Sequence, residues 1–139
     1  MFDVWSVFRL SDEQVDELPF GVIGLNKDGV VTQFNRFQSR LTRVSKERLL
    51  GHNLFAAEAS RTGAEAFQER FAQFARGSGD GAISFDCVFA LPFGRLHVNV
   101  TLLRAAAEDR FKILITPYEE RNLNNGINAE SLEPELNSA

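Results

Sequence analysis

Residues 81–102 read GAISFDCVFALPFGRLHVNVTL, two segments of alternating apolar and polar side chains separated by Pro-Phe-Gly. Side chains two residues apart lie on the same side of a β-strand, so the alternation predicts two strands with one apolar face each. The Pro-Phe-Gly turn joins them into a long antiparallel hairpin. The predicted apolar faces comprise Ile83, Phe85, Cys87, Phe89 and Leu91 on the first strand, and Leu96, Val98, Val100 and Leu102 on the second.

Three further strands are predicted, two before this hairpin and one after it. Residues 20–25 and 30–34 are rich in apolar β-formers and flank Asn-Lys-Asp-Gly, whose Asp-Gly pair is the strongest turn signal in the chain. Residues 111–115 have a similar composition and are followed by Pro117, which cannot donate to a strand ladder. The sequence therefore predicts five strands.

Helical patterns are grouped between the second and third strands. Residues 36–42, 45–50 and 54–59 predict short helices, and Gly51 follows the second of them as a helix stop. Residues 63–76 predict one longer helix, whose apolar stripe comprises Ala64, Phe67, Phe71, Phe74 and Ala75. Because helices and strands do not alternate, the predicted fold class is α+β, a five-stranded antiparallel sheet with short helices and one longer helix on one face.

The chain of 139 residues has about the length of a single domain with one core. Its 44% hydrophobic and 24% charged residues are typical of a globular protein. We divide it into an N-terminal helical cap at 1–17, a folded domain at 18–117 and an acidic, Asn-rich tail at 118–139 that we expect to be flexible. The cap is predicted from helix-like spacing of aromatic residues and from a capping sequence at Ser11–Gln14.

Charge and cysteine content exclude several classes of protein. Residues 119–139 hold five acids and one base, so residues 1–118 are neutral and lack the basic surplus of a protein that binds nucleic acid or an anionic membrane. The only cysteine, Cys87, excludes an internal disulfide and a zinc site built from cysteines, and we expect it to pack in the core. The first ten residues lack a signal-peptide pattern and no apolar run approaches 18 residues, so we expect a cytoplasmic protein.

Four short motifs resemble those of the PAS family. They are Phe20-Gly21-Val22-Ile23, Asp28-Gly29, Phe34-Asn35 and Gly51-His52-Asn53-Leu54-Phe55. The resemblance covers about residues 18–117 and is greatest to the photoactive yellow protein branch. It implies a five-stranded antiparallel sheet that cups a small helical cavity, used to sense a ligand, light or a redox state and to bind a partner.

The resemblance also implies candidate ligand-binding positions. Counting from the motifs, the chromophore-attachment cysteine of that branch falls at Arg61, which cannot form a thioester, and the tyrosine and glutamate that hold the chromophore phenolate fall at Phe34 and Gln38. A helper threonine is retained at Thr42, and the cysteine of the flavin-binding branch is replaced by Leu54. We therefore expect no p-coumarate photochemistry. Arg61 either pairs with an anionic ligand or turns to solvent.

The leading hypothesis is a stand-alone, non-catalytic PAS signalling module that acts as a homodimer or by binding another signalling protein. Its interface candidates are Phe2, Trp5 and Phe8, which alternatively pack on the back of the chain's own sheet. We expect no cofactor, although a haem sensor using His52 or His97, or a sensor of another small ligand, is an alternative.

A second alternative is a small proton-transfer enzyme of the ketosteroid-isomerase type. Such an enzyme needs an inward-facing carboxylate and an acidic hydroxyl donor in an apolar pocket. The candidates are Asp86, which alternates away from the apolar face, and Tyr118, the only tyrosine. Both lie at positions that the strand pattern places outside the core, so we expect no enzymatic activity.

Overall fold

The computed structural model describes residues 3–56 and 65–118, and its centre is a five-stranded antiparallel sheet. The strands lie in the order β2-β1-β5-β4-β3. Their bounds are β1 (Gly21–Asn26), β2 (Val31–Phe34), β3 (Gly81–Leu91), β4 (Gly94–Ala105) and β5 (Arg110–Pro117). This confirms the predicted α+β class with a five-stranded antiparallel PAS-like sheet.

Both predicted hairpins are present. Leu91 pairs with Gly94, so Pro92 and Phe93 form a two-residue turn between β3 and β4, and Gly94 has a φ of 145° that favours glycine. The alternation also holds, because Phe89 and Val98 are buried on one face while Ser84 and Asp86 are exposed. Since β3 is an edge strand, however, Ile83 at its first end stays 38% exposed.

The helices take the predicted places where the structure describes them. They are α1 (Asp12–Asp16), α2 (Arg36–Thr42), α3 (Lys46–Leu49) and α4 (Glu65–Ala75), with a 3-10 helix at Val4–Phe8. A second 3-10 helix, Ala106–Glu108, lies between β4 and β5, where no helix was predicted. The Ser11 hydroxyl accepts from the Gln14 N–H while the Gln14 side chain accepts from the Ser11 N–H, which is the predicted capping box. Half of the predicted 54–59 helix (residues 57–59), residues 63–64 and nearly all of the tail lie outside the described residues.

Two separate apolar cores lie on opposite faces of the sheet. The cavity-face core joins the sheet to α2, α3 and α4 and contains most of the phenylalanine rings, including Phe34, Phe55, Phe67, Phe71 and Phe111. The back-face core is smaller and joins the N-terminal segment to the sheet through Val7, Val15, Val22, Leu103 and Leu114. The N-terminal segment, which includes α1, therefore covers one face while α2, α3 and α4 cover the other.

Asn35 connects these layers. Its side chain is buried and makes four hydrogen bonds: Oδ1 accepts from the N–H groups of Val22 and Gln38, and Nδ2 donates to the carbonyls of Val15 and Phe20. The Asn35 side chain thus gives a backbone N–H of β1 its acceptor, caps the first turn of α2 and bonds to the last turn of α1. This explains why an asparagine at the end of β2 is informative about the fold.

Candidate functional site

A cavity of about 400 Å³ lies between the helices and the sheet, within the cavity-face core. Its buried walls are almost entirely apolar, and they include Ile23, Phe34, Leu49, Leu54, Phe55, Phe67, Phe89 and Ile115. Its volume is that of a typical small-molecule site, and an apolar wall favours a ligand with an apolar body. The cavity is therefore the candidate functional site.

Two residues of α2 bring polar atoms to this wall. Gln38 is only 3% exposed, and its Oε1 has no hydrogen-bond donor among the described residues. That oxygen lies where the side chain of residue 21 would be, since a Cβ at Gly21 would come within 2.0 Å of it. The Thr42 hydroxyl donates to the Gln38 carbonyl at 2.9 Å, which leaves its own oxygen able to accept.

The rim of the cavity is formed by its exposed lining residues Arg43, Arg48, Pro92 and Phe93. Arg43 ends α2 in a left-handed conformation with φ 61°, and its guanidinium lies 3.9 Å from the centroid of the Phe93 ring. Neither Arg43 nor Arg48 forms an ion pair with an acid in the described parts of the chain. The described lining also contains no acidic residue. The opening is therefore cationic.

The Gly51–Phe55 motif supports the cavity from one side. The Asn53 side chain donates to the Asp28 carbonyl at 2.8 Å and accepts from the N–H groups of Phe55 and Ala56. It thereby ties the β1–β2 turn to the segment that brings Leu54 and Phe55 to the cavity wall. Gly29, at φ 83°, leaves room for this side chain, because a Cβ there would lie 3.1 Å from Asn53 Nδ2.

The sequence-predicted ligand positions are partly brought together. Phe34, Gln38 and Thr42 all line the cavity, whereas Arg61 lies outside the described residues. Sequence reasoning missed Arg43, Arg48 and Phe93. The sequence does predict a turn at Pro92–Gly94. Only the folded structure shows that the Phe93 ring in this turn contacts Arg43 at the end of α2.

The predicted interface residues lie on the other face. Trp5 and Phe8 are half-buried, with ring centroids 5.9 Å apart, and pack against the back-face core, while Phe2 lies outside the described residues. Beneath Phe8 is Lys112, which is 5% exposed and whose Nζ donates to Gln33 Oε1. Burial, and next the nearby Arg110, lower the pKa of this lysine to about 8.

The groups considered for other chemistry lie outside the cavity. The Tyr118 hydroxyl donates to Asp86 Oδ1 at 2.5 Å on the exposed surface; this bond lowers the pKa of Asp86 and raises that of Tyr118. His52 and His97 are both exposed and do not line the cavity. Burial raises the pKa of the half-buried Cys87 thiol, which packs against the cavity-face core.

The described residues contain neither a membrane-spanning helix nor a cluster of metal ligands. None of their helices combines the length and apolarity needed to cross a bilayer. Nor do their His, Cys, Asp and Glu side chains gather in groups of three that could hold a metal ion.

The chain is similar to known photoactive yellow proteins. It is 31% identical over 106 residues to that of Rhodothalassium salexigens, covering 76% of this chain and 84% of the relative. It is 29% identical over 110 residues to that of Halochromatium salexigens, covering 79% and 87%. No protein-family model matches the chain.

Solved structures show the same fold. The photoactive yellow protein domain of the sensor histidine kinase Ppr from Rhodospirillum centenum superposes with a TM-score of 0.71 at 31% identity, covering 80% of this chain and 96% of that domain. The PAS domain of the Cronobacter turicensis quorum-sensing receptor RpfR, in complex with C12:0, superposes with a TM-score of 0.55 at 19% identity, covering 76% and 99%. The second likeness shows the fold alone.

Proposed function

The chain belongs to the photoactive yellow protein family of PAS domains, and from this membership we propose that it is a non-catalytic, cytoplasmic sensory module that binds a small molecule without a covalent bond. A signalling sensor is supported by its PAS relatives, which include domains of sensor histidine kinases. The main support for a bound small molecule is the cavity of about 400 Å³, which has apolar walls and a cationic rim. A PAS domain of the same fold, that of RpfR, has been solved with BDSF and with C12:0.

The ligand proposal is tested by extracting the natively purified chain with organic solvent and identifying released molecules by mass spectrometry. We expect one class of small molecule in near-stoichiometric amount. Thr42→Phe, which places a ring into the cavity, should reduce it, whereas Thr32→Phe at an exposed position should not. An empty extract, together with no thermal shift from any metabolite in a screen, would contradict ligand sensing.

We further propose that the module is not a p-coumarate photoreceptor. The family resemblance places Arg61 where the attachment cysteine lies, and the only cysteine, Cys87, is half-buried with a raised pKa that disfavours the nucleophilic thiolate. The purified chain should stay colourless above about 320 nm after treatment with activated p-coumaric acid. Intact-mass spectrometry that shows a stoichiometric adduct on Cys87 would contradict this.

The absence of catalysis is part of the same proposal and has a physical basis at the Asp86–Tyr118 pair. A general base benefits from a raised carboxyl pKa and an acid donor from a lowered phenol pKa. The hydrogen bond between these groups shifts both pKa values in the opposite directions, and both side chains face solvent. The pair is therefore poorly suited to proton abstraction.

We propose that the module passes its signal on through the N-terminal segment, by self-association or by binding another signalling protein. Val4 is 36% exposed and Trp5 and Phe8 are only half-buried, so apolar surface remains there for a partner. Light scattering should show a dimer that Trp5→Ala converts to a monomer, while Phe93→Ala at the distant cavity rim leaves it a dimer. A monomeric parent chain that Trp5→Ala merely destabilises in urea would contradict self-association and favour packing on its own sheet.

A further inference from the structure

We propose that the ligand is an amphiphilic carboxylic acid, with its apolar body in the cavity and its carboxylate at the rim, between Arg43 and Arg48. This inference rests on the proposed ligand-binding function and specifies the chemical class of the ligand. It uses three features of the described residues: the charge of the rim, the lack of acids in the lining and the apolar walls.

The two rim arginines differ from other basic side chains nearby. Arg36 at the start of α2 pairs with Glu17, and Lys46 at the start of α3 pairs with Asp16. Arg43 and Arg48, at the opposite ends of the same two helices, line the cavity and have no described acid within 4.0 Å. An anion at the rim would supply the missing partner. Arginine suits a carboxylate because its planar guanidinium can donate two parallel hydrogen bonds.

Arg43 is also held in place. Its guanidinium stacks on the Phe93 ring at 3.9 Å, and the backbone that carries it is fixed by the bond from the Arg43 N–H to the Ser39 carbonyl. A guanidinium that is already ordered loses less conformational entropy when it binds an anion than a free surface arginine does. The rim is thus preorganised for a charged head group.

The cavity walls restrict the part of the ligand that lies behind the rim. Behind the rim the lining is buried and apolar apart from Gln38 and Thr42, so a second charged group inside the cavity would lack a counter-charge among the described residues. A molecule with one negative end and an aliphatic or aromatic body satisfies both regions. A dicarboxylate or a sugar does not.

Calorimetric titration of the delipidated chain tests this with matched probes below their micelle concentrations. The pairs are decanoate against decanol and phenylpropanoate against phenylpropanol, and decyl phosphate tests the head group. We expect at least one acid to bind about tenfold or more tightly than its alcohol. The Arg43→Gln/Arg48→Gln double variant should remove most of that preference. Arg40→Gln, an exposed residue of α2 outside the cavity, is the matched control and should keep it.

The remaining outcomes overturn the inference in distinguishable ways. Equal affinity for acid and alcohol, unchanged in the double variant, would overturn the carboxylate while ligand binding itself stands. Arginine-dependent binding in which decyl phosphate exceeds decanoate would assign the rim to a phosphate. If none of the probes binds and solvent extraction releases no molecule, the ligand-sensing function fails as well.

Discussion

The two faces of the sheet are covered by apolar cores that differ in size and composition. In the described part of the chain the cavity face has the larger core and most of the ring-to-ring contacts, and it also contains the cavity of about 400 Å³. Among the described residues the back face has five buried apolar side chains, and on this side Asn35 donates to the Val15 carbonyl and Lys112 to the Gln33 side chain.

The cavity face combines a large core with a cavity, whereas the back face is covered by the N-terminal segment. Large rings such as Phe55 and Phe67 can line the cavity because each buries enough apolar surface on its remaining sides to stay packed in the core. On the back face, Val7 and Val15 of the N-terminal segment pack with Val22, Leu103 and Leu114 of the sheet, and the Asn35 side chain donates to the Val15 carbonyl. The cavity face is therefore suited to a ligand, and the back face to a covering segment.

The largest expected effect is on the cavity face. Phe71 is 5% exposed and its ring lies 5.3 Å from both Phe55 and Phe111, so Phe71→Ala should lower the free energy of unfolding by roughly 3–5 kcal/mol. Glu69→Ala, an exposed change on the same helix, should cost less than about 0.5 kcal/mol. Urea denaturation measures both, and equal midpoints would show that α4 does not depend on this face.

A smaller effect is expected where the two faces meet. Asn35→Ala removes four hydrogen bonds, including those that the buried N–H groups of Val22 and Gln38 donate to Asn35 Oδ1, so it should cost roughly 2–3 kcal/mol. Asn99→Ala removes one bond to the exposed Asp86 and should be nearly neutral. If the two variants unfold at the same urea concentration, Asn35 does not connect the layers as described.

The back face should respond to pH through Lys112. The ordinary pKa of lysine is 10.5, and burial lowers that of Lys112 to about 8, so the folded chain releases this proton first as the pH rises. Between about pH 8 and 10.5 the unfolded state binds more protons, and the contribution of Lys112 to the free energy of unfolding increases with pH.

The comparison that isolates this contribution is wild type against Lys112→Met. The stability difference between them should shift in favour of wild type by about 1–2 kcal/mol from pH 7 to 10, an amount reduced for the solvent that reaches the ammonium. Titration of the Cys87 thiol occurs in both chains and cancels. A difference that is constant with pH would show that the Lys112 ammonium is solvated in the folded state.

Much of the fold was predictable because its signals are local. The alternation in residues 81–102, the Asp28-Gly29 turn and the capping pair Ser11 and Gln14 each depend on neighbouring residues, and each appears in the structure as predicted. The candidate site was predictable only in part. Phe34, Gln38 and Thr42 were predicted from the family resemblance. They line one cavity because Phe34 ends β2 and the other two lie on α2, which follows β2 directly.

Periodicity and composition are enough to predict the number of strands, the two hairpins, the apolar stripe of α4 and the charge balance. Contacts between side chains that are distant in the chain become visible only in the folded structure. Arg43 reaches Phe93 although fifty residues separate them, and Lys112 reaches Gln33 and Phe8. Such contacts depend on how the β3–β4 turn meets the end of α2, on which strands become neighbours and on how the N-terminal segment packs on the sheet, and contacts over that distance leave no periodic signal in the chain.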